Sequence, residues 1–221
     1  MIPQLHTTGG RFEESQKQLD ERRLPSAVGT DQPDRFALPV FVKPANLGSS
    51  VGVSRADDRQ TLAQAFELAC AYDRKVVVEQ GIDAREVECS VLGNDEPEAS
   101  LPGEIVPHGG FYDYHCKYTE GESDFLVPAP IRQDLVRQVQ DLARRAFLAL
   151  DCAGMARVDF FLERGTDRLY LNELNTIPGF TNLSMYSMMW EASGLGYPRL
   201  LDRLIELAQE RFADKERNRV E

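Results

Sequence analysis

The chain has 221 residues, 42% of them hydrophobic, enough to bury a core in one large or two small domains and to exclude an intrinsically disordered chain. Its 36 acidic against 25 basic residues give a net charge of −11, which disfavours nucleic acid as a partner but leaves room for a small anion held in a local cleft. No stretch approaches the roughly 18 apolar residues of a membrane span, and the N-terminal MIPQLHTTGGRFEESQKQLDERR lacks the apolar segment of a targeting signal, so the expected setting is cytoplasmic, away from membranes.

The four cysteines, Cys70, Cys89, Cys116 and Cys152, form no CxxC pair, and the three histidines, His6, His108 and His115, show no zinc spacing. Any metal is therefore expected to sit on oxygen ligands, which points to magnesium.

Residues 1–40 are polar and turn-prone with little apolar periodicity and are expected to be poorly ordered, an N-terminal segment ending near residue 37. Leu38 to Lys43 reads as a strand running into a glycine- and serine-rich loop, Ala45 to Gly52. Asp57 to Tyr72 places Leu62, Phe66 and Ala69 on one helix face. A buried strand, Lys75 to Glu79, and the turn Gly81-Ile82-Asp83 follow. From Glu86 to Leu92, Val87, Cys89 and Val91 alternate with Glu86, Glu88 and Ser90. Gly109 to Val127 has no period and reads as a long functional loop. An amphipathic helix starts near Arg132 with Leu135, Val139, Leu142 and Ala146 inward. Strands Ala156 to Leu162 and Arg168 to Asn175 flank a hairpin turn, and a closing helix, Pro198 to Phe212, is expected to bury Leu201, Leu204, Ala208 and Phe212.

The hairpin carries the most chemistry. Period two puts Arg157 and Asp159 on one face of the first strand and Glu173 and Asn175 on one face of the second, so two carboxylates, an amide and a guanidinium converge. On strands otherwise filled with Val158, Phe160, Leu162, Leu169 and Leu171, such a face costs desolvation energy unless a cation compensates it. The alternative is a solvent-facing side of the sheet with a cross-strand Arg to Glu pair. The loop Asn46 to Gly52, with Lys43 before it and Lys117 in the aromatic run Phe111 to Tyr118, suits phosphate, although a surface turn and two solvated lysines would look the same. Glu79, the Gln80-Gly81-Ile82 turn and Glu86 suit adenosine, or else belong to an acidic surface.

Taken together, FVKPANLGSSVGVS, VVVEQGIDAREVECSVLG, GGFYDYHCKY, GMARVDFFL and LNELNTIPGFTNLSMYS resemble, in order, the C-terminal portion of D-alanine–D-alanine ligases from about Leu38 to the end of the chain. The KY pair is more similar to the D-alanine enzymes than to their D-lactate-specific relatives. The resemblance implies an α/β ATP-grasp fold with two subdomains sandwiching the nucleotide, residues 38 to about 105 binding ATP and about 106 to 221 binding metal and substrate. It implies that ATP phosphorylates a D-alanine carboxylate and that the amine of a second D-alanine attacks the acyl phosphate, as in peptidoglycan precursor synthesis.

Under that resemblance, Lys43 and Lys117 contact phosphates, Ser49, Ser50 and Val51 cover them, and Glu79, the backbone near Ile82, and Glu86 hold adenosine. Asp159, Glu173 and Asn175 bind Mg²⁺ (or Mn²⁺), and Arg157 stabilises developing charge. Gly179 and Ser184 receive the second D-alanine, with Tyr118 and Ser49 closing the site. D-alanine is then the small-molecule partner, and a homodimer is compatible with the pattern. Family members carry a further N-terminal domain of about a hundred residues that residues 1–40 do not resemble, so a truncated form is expected. The competing reading is a nucleotide-binding remnant or regulatory module without ligase turnover.

Overall fold

The computed structural model of the chain describes residues 37–48, 50–108 and 123–217. Expectations for residues 1–36, and for Ser49, Lys117 and Tyr118, lie outside them.

A three-stranded antiparallel sheet comes first, with β1 (Val40–Pro44) between β2 (Ser54–Ala56) and β3 (Val76–Gln80). Alternation along β1 turns Val40 and Val42 inward, and Val42 packs with Ala65 and Ala69 of α1 (Arg59–Tyr72). Leu62 and Phe66 of the expected helical stripe border that cluster. The helix starts at a capping box: an Asp58 carboxylate oxygen accepts the Thr61 N–H at 2.8 Å, and the Thr61 hydroxyl accepts the Asp58 N–H at 3.1 Å.

The second sheet begins at β4 (Ala84–Gly93) and is antiparallel throughout. Its path is β7 (Ser123–Leu126), β6 (Gly103–Pro107), β4, β8 (Gly154–Glu163), β9 (Leu169–Asn175), with β5 (Glu98–Ala99) paired to β4. The two sheets part between Gln80 and Ala84, and β4 to β6 belong to the larger one. The expected loop also ends differently: its last residues form strand β7 on the edge of β6, where four residues are too few to show a period.

One face of this sheet is apolar and packs under α2 (Gln133–Ala149). Val87, Cys89 and Val91 of β4 meet Val158, Phe160 and Leu162 of β8, closed by Leu135, Val139, Ala146 and Phe147 of the helix. Burying side chains of this size contributes roughly 1.5 to 3 kcal/mol each.

The other face is polar and is divided. Its Ser90 and Leu92 end lies beneath α3 (Met185–Ala192) and α4 (Tyr197–Arg217): the Ser90 hydroxyl donates to the Tyr186 carbonyl at 3.0 Å, and Leu92 joins Tyr186, Trp190, Leu200 and Leu207. Gly103 lets α3 approach, since a Cβ there would lie 2.5 Å from the Met185 methyl. The inward stripe of α4 is the buried Leu200 and Leu207 with the half-buried Leu204, whereas Leu201 and Phe212, expected inward, are 39% and 67% exposed and Ala208 is also exposed. The face turned toward Trp190 is one residue away from the expected one, because α4 carries two overlapping apolar stripes.

Candidate active site

The uncovered end of the polar face opens into a cavity of about 520 Å³, within the range of small-molecule sites. Its lining includes Glu86, Arg157, Asp159, Glu173, Asn175, Gly179 and Ser184, together with Gly48 from the loop after β1. The convergence expected from the hairpin is what the strand register produces: Arg157 faces Asn175 and Asp159 faces Glu173 across β8 and β9. The register slips between Asp159 and Phe160, leaving Asn172 as an extra residue on β9, and Asn172 also lines the cavity.

Burial on this face is uneven: Glu173 is exposed, while its neighbours across the hairpin are not. The Arg157 and Asp159 side chains are 19% and 13% exposed. Arg157 Nε and Nη2 each donate to one Asp159 oxygen at 2.7 Å, and Nε lies 3.2 Å from Oε1 of Glu88, itself 5% exposed. Burial alone would pull the guanidinium pKa down, but the Asp159 bond and the charges of Glu88, Asp159 and Glu173 outweigh it and hold the pKa above its ordinary value. Sequence reasoning gave Glu88 no role. Its signal was present in the alternation that sets it beside Glu86, yet nothing in the pattern reveals a buried arginine partner.

The oxygen donors suit a hard divalent cation. Asp159 and Glu173 supply carboxylates, and Asn175 supplies an amide oxygen held in place by the Ile177 N–H at 3.1 Å. Among the described residues no three or more His, Cys, Asp or Glu gather into a group that could hold a metal ion. Each Asp159 oxygen accepts one arginine bond and keeps a further lone pair for a metal.

Ser184, which also lines the cavity, sits at the N-cap of α3 without capping it, its Oγ accepting the Thr181 N–H at 2.9 Å. The first turn of α3 carries no acidic residue, so its amide N–H groups and dipole favour an anion. Gly179 lies against Ser184: a Cβ built on it would be 3.5 Å from Oγ.

The remaining candidates are placed elsewhere. Lys43 and Glu79, given separate roles, form an ion pair at 2.7 Å. Ile82 lies in the β3 to β4 connection, where the Gly81 N–H donates to the Pro39 carbonyl at 2.8 Å. Ser50 has a positive φ of 58°, and the Val51 N–H is engaged by the Gly48 carbonyl at 3.3 Å within the turn. None of Lys43, Glu79, Ile82, Ser50 and Val51 lines the cavity.

A family model described as D-ala D-ala ligase C-terminus matches residues 12–206, starting ahead of Leu38. The D-alanine–D-alanine ligase of Acetivibrio thermocellus is 54% identical over 181 residues, 82% of this chain and 48% of its own length. That of Heliobacterium modesticaldum is 48% identical over 220 residues, covering 100% of this chain and 58% of its own. Among solved structures, the D-alanine–D-alanine ligase from Coxiella burnetii superposes with a TM-score of 0.73 at 37% identity, over 98% of this chain and 52% of the other. The VanG D-Ala:D-Ser ligase from Enterococcus faecalis gives 0.75 at 35% identity, over 88% and 60%. The chain spans about half the length of the curated relatives it matches. These solved ligases have the ATP-grasp fold, and the mixed α/β architecture of this chain is the same fold.

Proposed function

The chain belongs to the D-alanine–D-alanine ligase C-terminal family, and on that premise we propose that it carries the nucleotide, metal and second-substrate sites of an ATP-dependent D-alanine ligation serving peptidoglycan precursor synthesis in the cytoplasm. The observation that carries the reading is the convergence of Arg157, Asp159, Glu173 and Asn175 on a cavity that Ser184, at the α3 N-terminus, also lines. ATP lies between the two sheets, its adenosine near Glu79, Ile82 and Glu86 and its phosphates near Lys43, Lys117 and the loop Ser49 to Val51. Asp159, Glu173 and Asn175 would hold Mg²⁺ or Mn²⁺, which neutralises phosphate oxygens when bound.

The chain's own groups then position the reactants. Arg157, fixed by its carboxylate partners, presents positive charge where the phosphoryl oxygens and the carbonyl oxyanion develop theirs. The α3 N-terminus, Ser184 and the Gly179 backbone receive the carboxylate of the D-alanine whose amine attacks. Tyr118 and Ser49 would contribute to the same substrate's site. Catalysis of this kind depends on alignment, and misplacement of about 1 Å can cost on the order of 100-fold in rate.

The test is phosphate release from ATP by the purified chain with and without D-alanine. Release that depends on D-alanine supports ligase chemistry. Nucleotide binding without it supports the binding-module reading.

A further inference from the structure

We propose that Glu88 is a positioning residue that takes over the Arg157 guanidinium when Asp159 turns to a divalent cation. This rests on reading the cavity as a metal site. Three carboxylates lie in one row across the sheet: Glu88 on β4 is in register with Asp159 on β8, which is in register with Glu173 on β9. Exposure rises along that row, from the buried Glu88 to the exposed Glu173. The single guanidinium bonds the middle member through both its oxygens and lies 3.2 Å from Glu88.

A cation enters from the open end, between Asp159 and Glu173. A metal on the remaining Asp159 lone pairs would set two positive groups against each other across a partly buried space, where they repel. The guanidinium is driven toward the closed end of the row. Glu88 is anchored there between Val87 and Cys89, both fully buried on a strand paired on both sides. Without it, the displaced guanidinium would lose its carboxylate partner at the closed end and would compete with the cation for Asp159 and Glu173. Glu88 thus keeps Asp159 available to the metal and fixes where the arginine head rests afterwards.

Mn²⁺ titration of the full chain, followed by electron paramagnetic resonance, tests this with the metal alone as probe. Glu88→Gln is expected to weaken Mn²⁺ binding by about 10- to 100-fold, the usual range for a residue supporting a ligand. In an Arg157→Met background the same substitution should change affinity by less than about twofold, because the residue through which Glu88 acts is gone. Equal affinity of wild type and Glu88→Gln overturns the proposal, as does a loss that persists in the Arg157→Met background and so reflects direct attraction of the cation. A wild-type chain that takes up no Mn²⁺ overturns the metal reading and this proposal with it.

Nuclear magnetic resonance of the unsubstituted chain gives an answer even where Glu88→Gln fails to fold. On saturation with Mg²⁺ the Arg157 Nε–H signal should move yet stay protected from exchange, held by Glu88. Loss of protection contradicts the proposal.

Discussion

The Lys43 ammonium lies 2.7 Å from the Glu79 carboxylate across strands β1 and β3. Both side chains are partly exposed, so the pair itself contributes at most about 1 kcal/mol, weak enough for a polyphosphate to draw the lysine away. Lys43→Met is therefore expected to leave the unfolding midpoint nearly unchanged. It should weaken ATP binding by about 1.5 to 3 kcal/mol, the range of a charged hydrogen bond, while leaving AMP binding unaltered. Calorimetric titration with both nucleotides checks this, and an equal loss for AMP would place Lys43 away from the β- and γ-phosphates.

Glu86 lines the cavity at the start of β4. As the proposed ribose ligand, it should set the preference for ATP over 2′-deoxy-ATP. Glu86→Ala is expected to remove that preference and lower ATP affinity by about 1.5 to 3 kcal/mol. A preference that survives the substitution assigns the ribose to another group.

Helix α4 makes opposite demands on its two apolar stripes. Leu207→Ala, within the cluster of Tyr186, Trp190 and Leu200, should cost about 2 to 5 kcal/mol in urea unfolding. Phe212→Ser, at an exposed position, should stay within about 0.5 kcal/mol. The reverse order would restore the stripe expected from the sequence.

The Asp58 carboxyl is held below its ordinary value of 3.8, chiefly by the Thr61 backbone N–H and then by the Thr61 hydroxyl. A group whose folded pKa is depressed contributes stability that is fully present above the unfolded value and is lost as pH falls through the folded one. The thermal midpoint of wild type should therefore exceed that of Asp58→Ala at pH 6, with the gap narrowing as pH drops below 3.8. A gap that widens in acid would exclude the charged cap.

Much of this site was legible because strands speak in alternation. Arg157, Asp159, Glu173 and Asn175 stand out as polar residues at period two on strands filled with Val158, Phe160 and Leu162, and the short turn forces them together. What alternation leaves unstated is depth: it sets Glu86, Glu88 and Ser90 on one face without telling which is sealed by α3 and which opens to the cavity. The slip at Asn172 was also invisible, since a bulge is settled by pairing with β8 rather than by the residues of β9. In α4 the pattern was degenerate, and contact with Trp190 decided between two stripes. The pairing of Lys43 with Glu79 depends on β1 and β3 being neighbours, which no local pattern encodes.

The central claim is that ATP binds between the two sheets with its phosphates reaching a divalent cation held by Asp159, Glu173 and Asn175 on the cavity wall. Equilibrium titration of the chain with ATP, with and without Mg²⁺, alongside the Glu173→Ala variant, addresses it directly. Binding is expected to require Mg²⁺ and to weaken about 10-fold or more in Glu173→Ala, about 1.4 kcal/mol. ATP binding that is equally strong without Mg²⁺, or unaltered in Glu173→Ala, would contradict it.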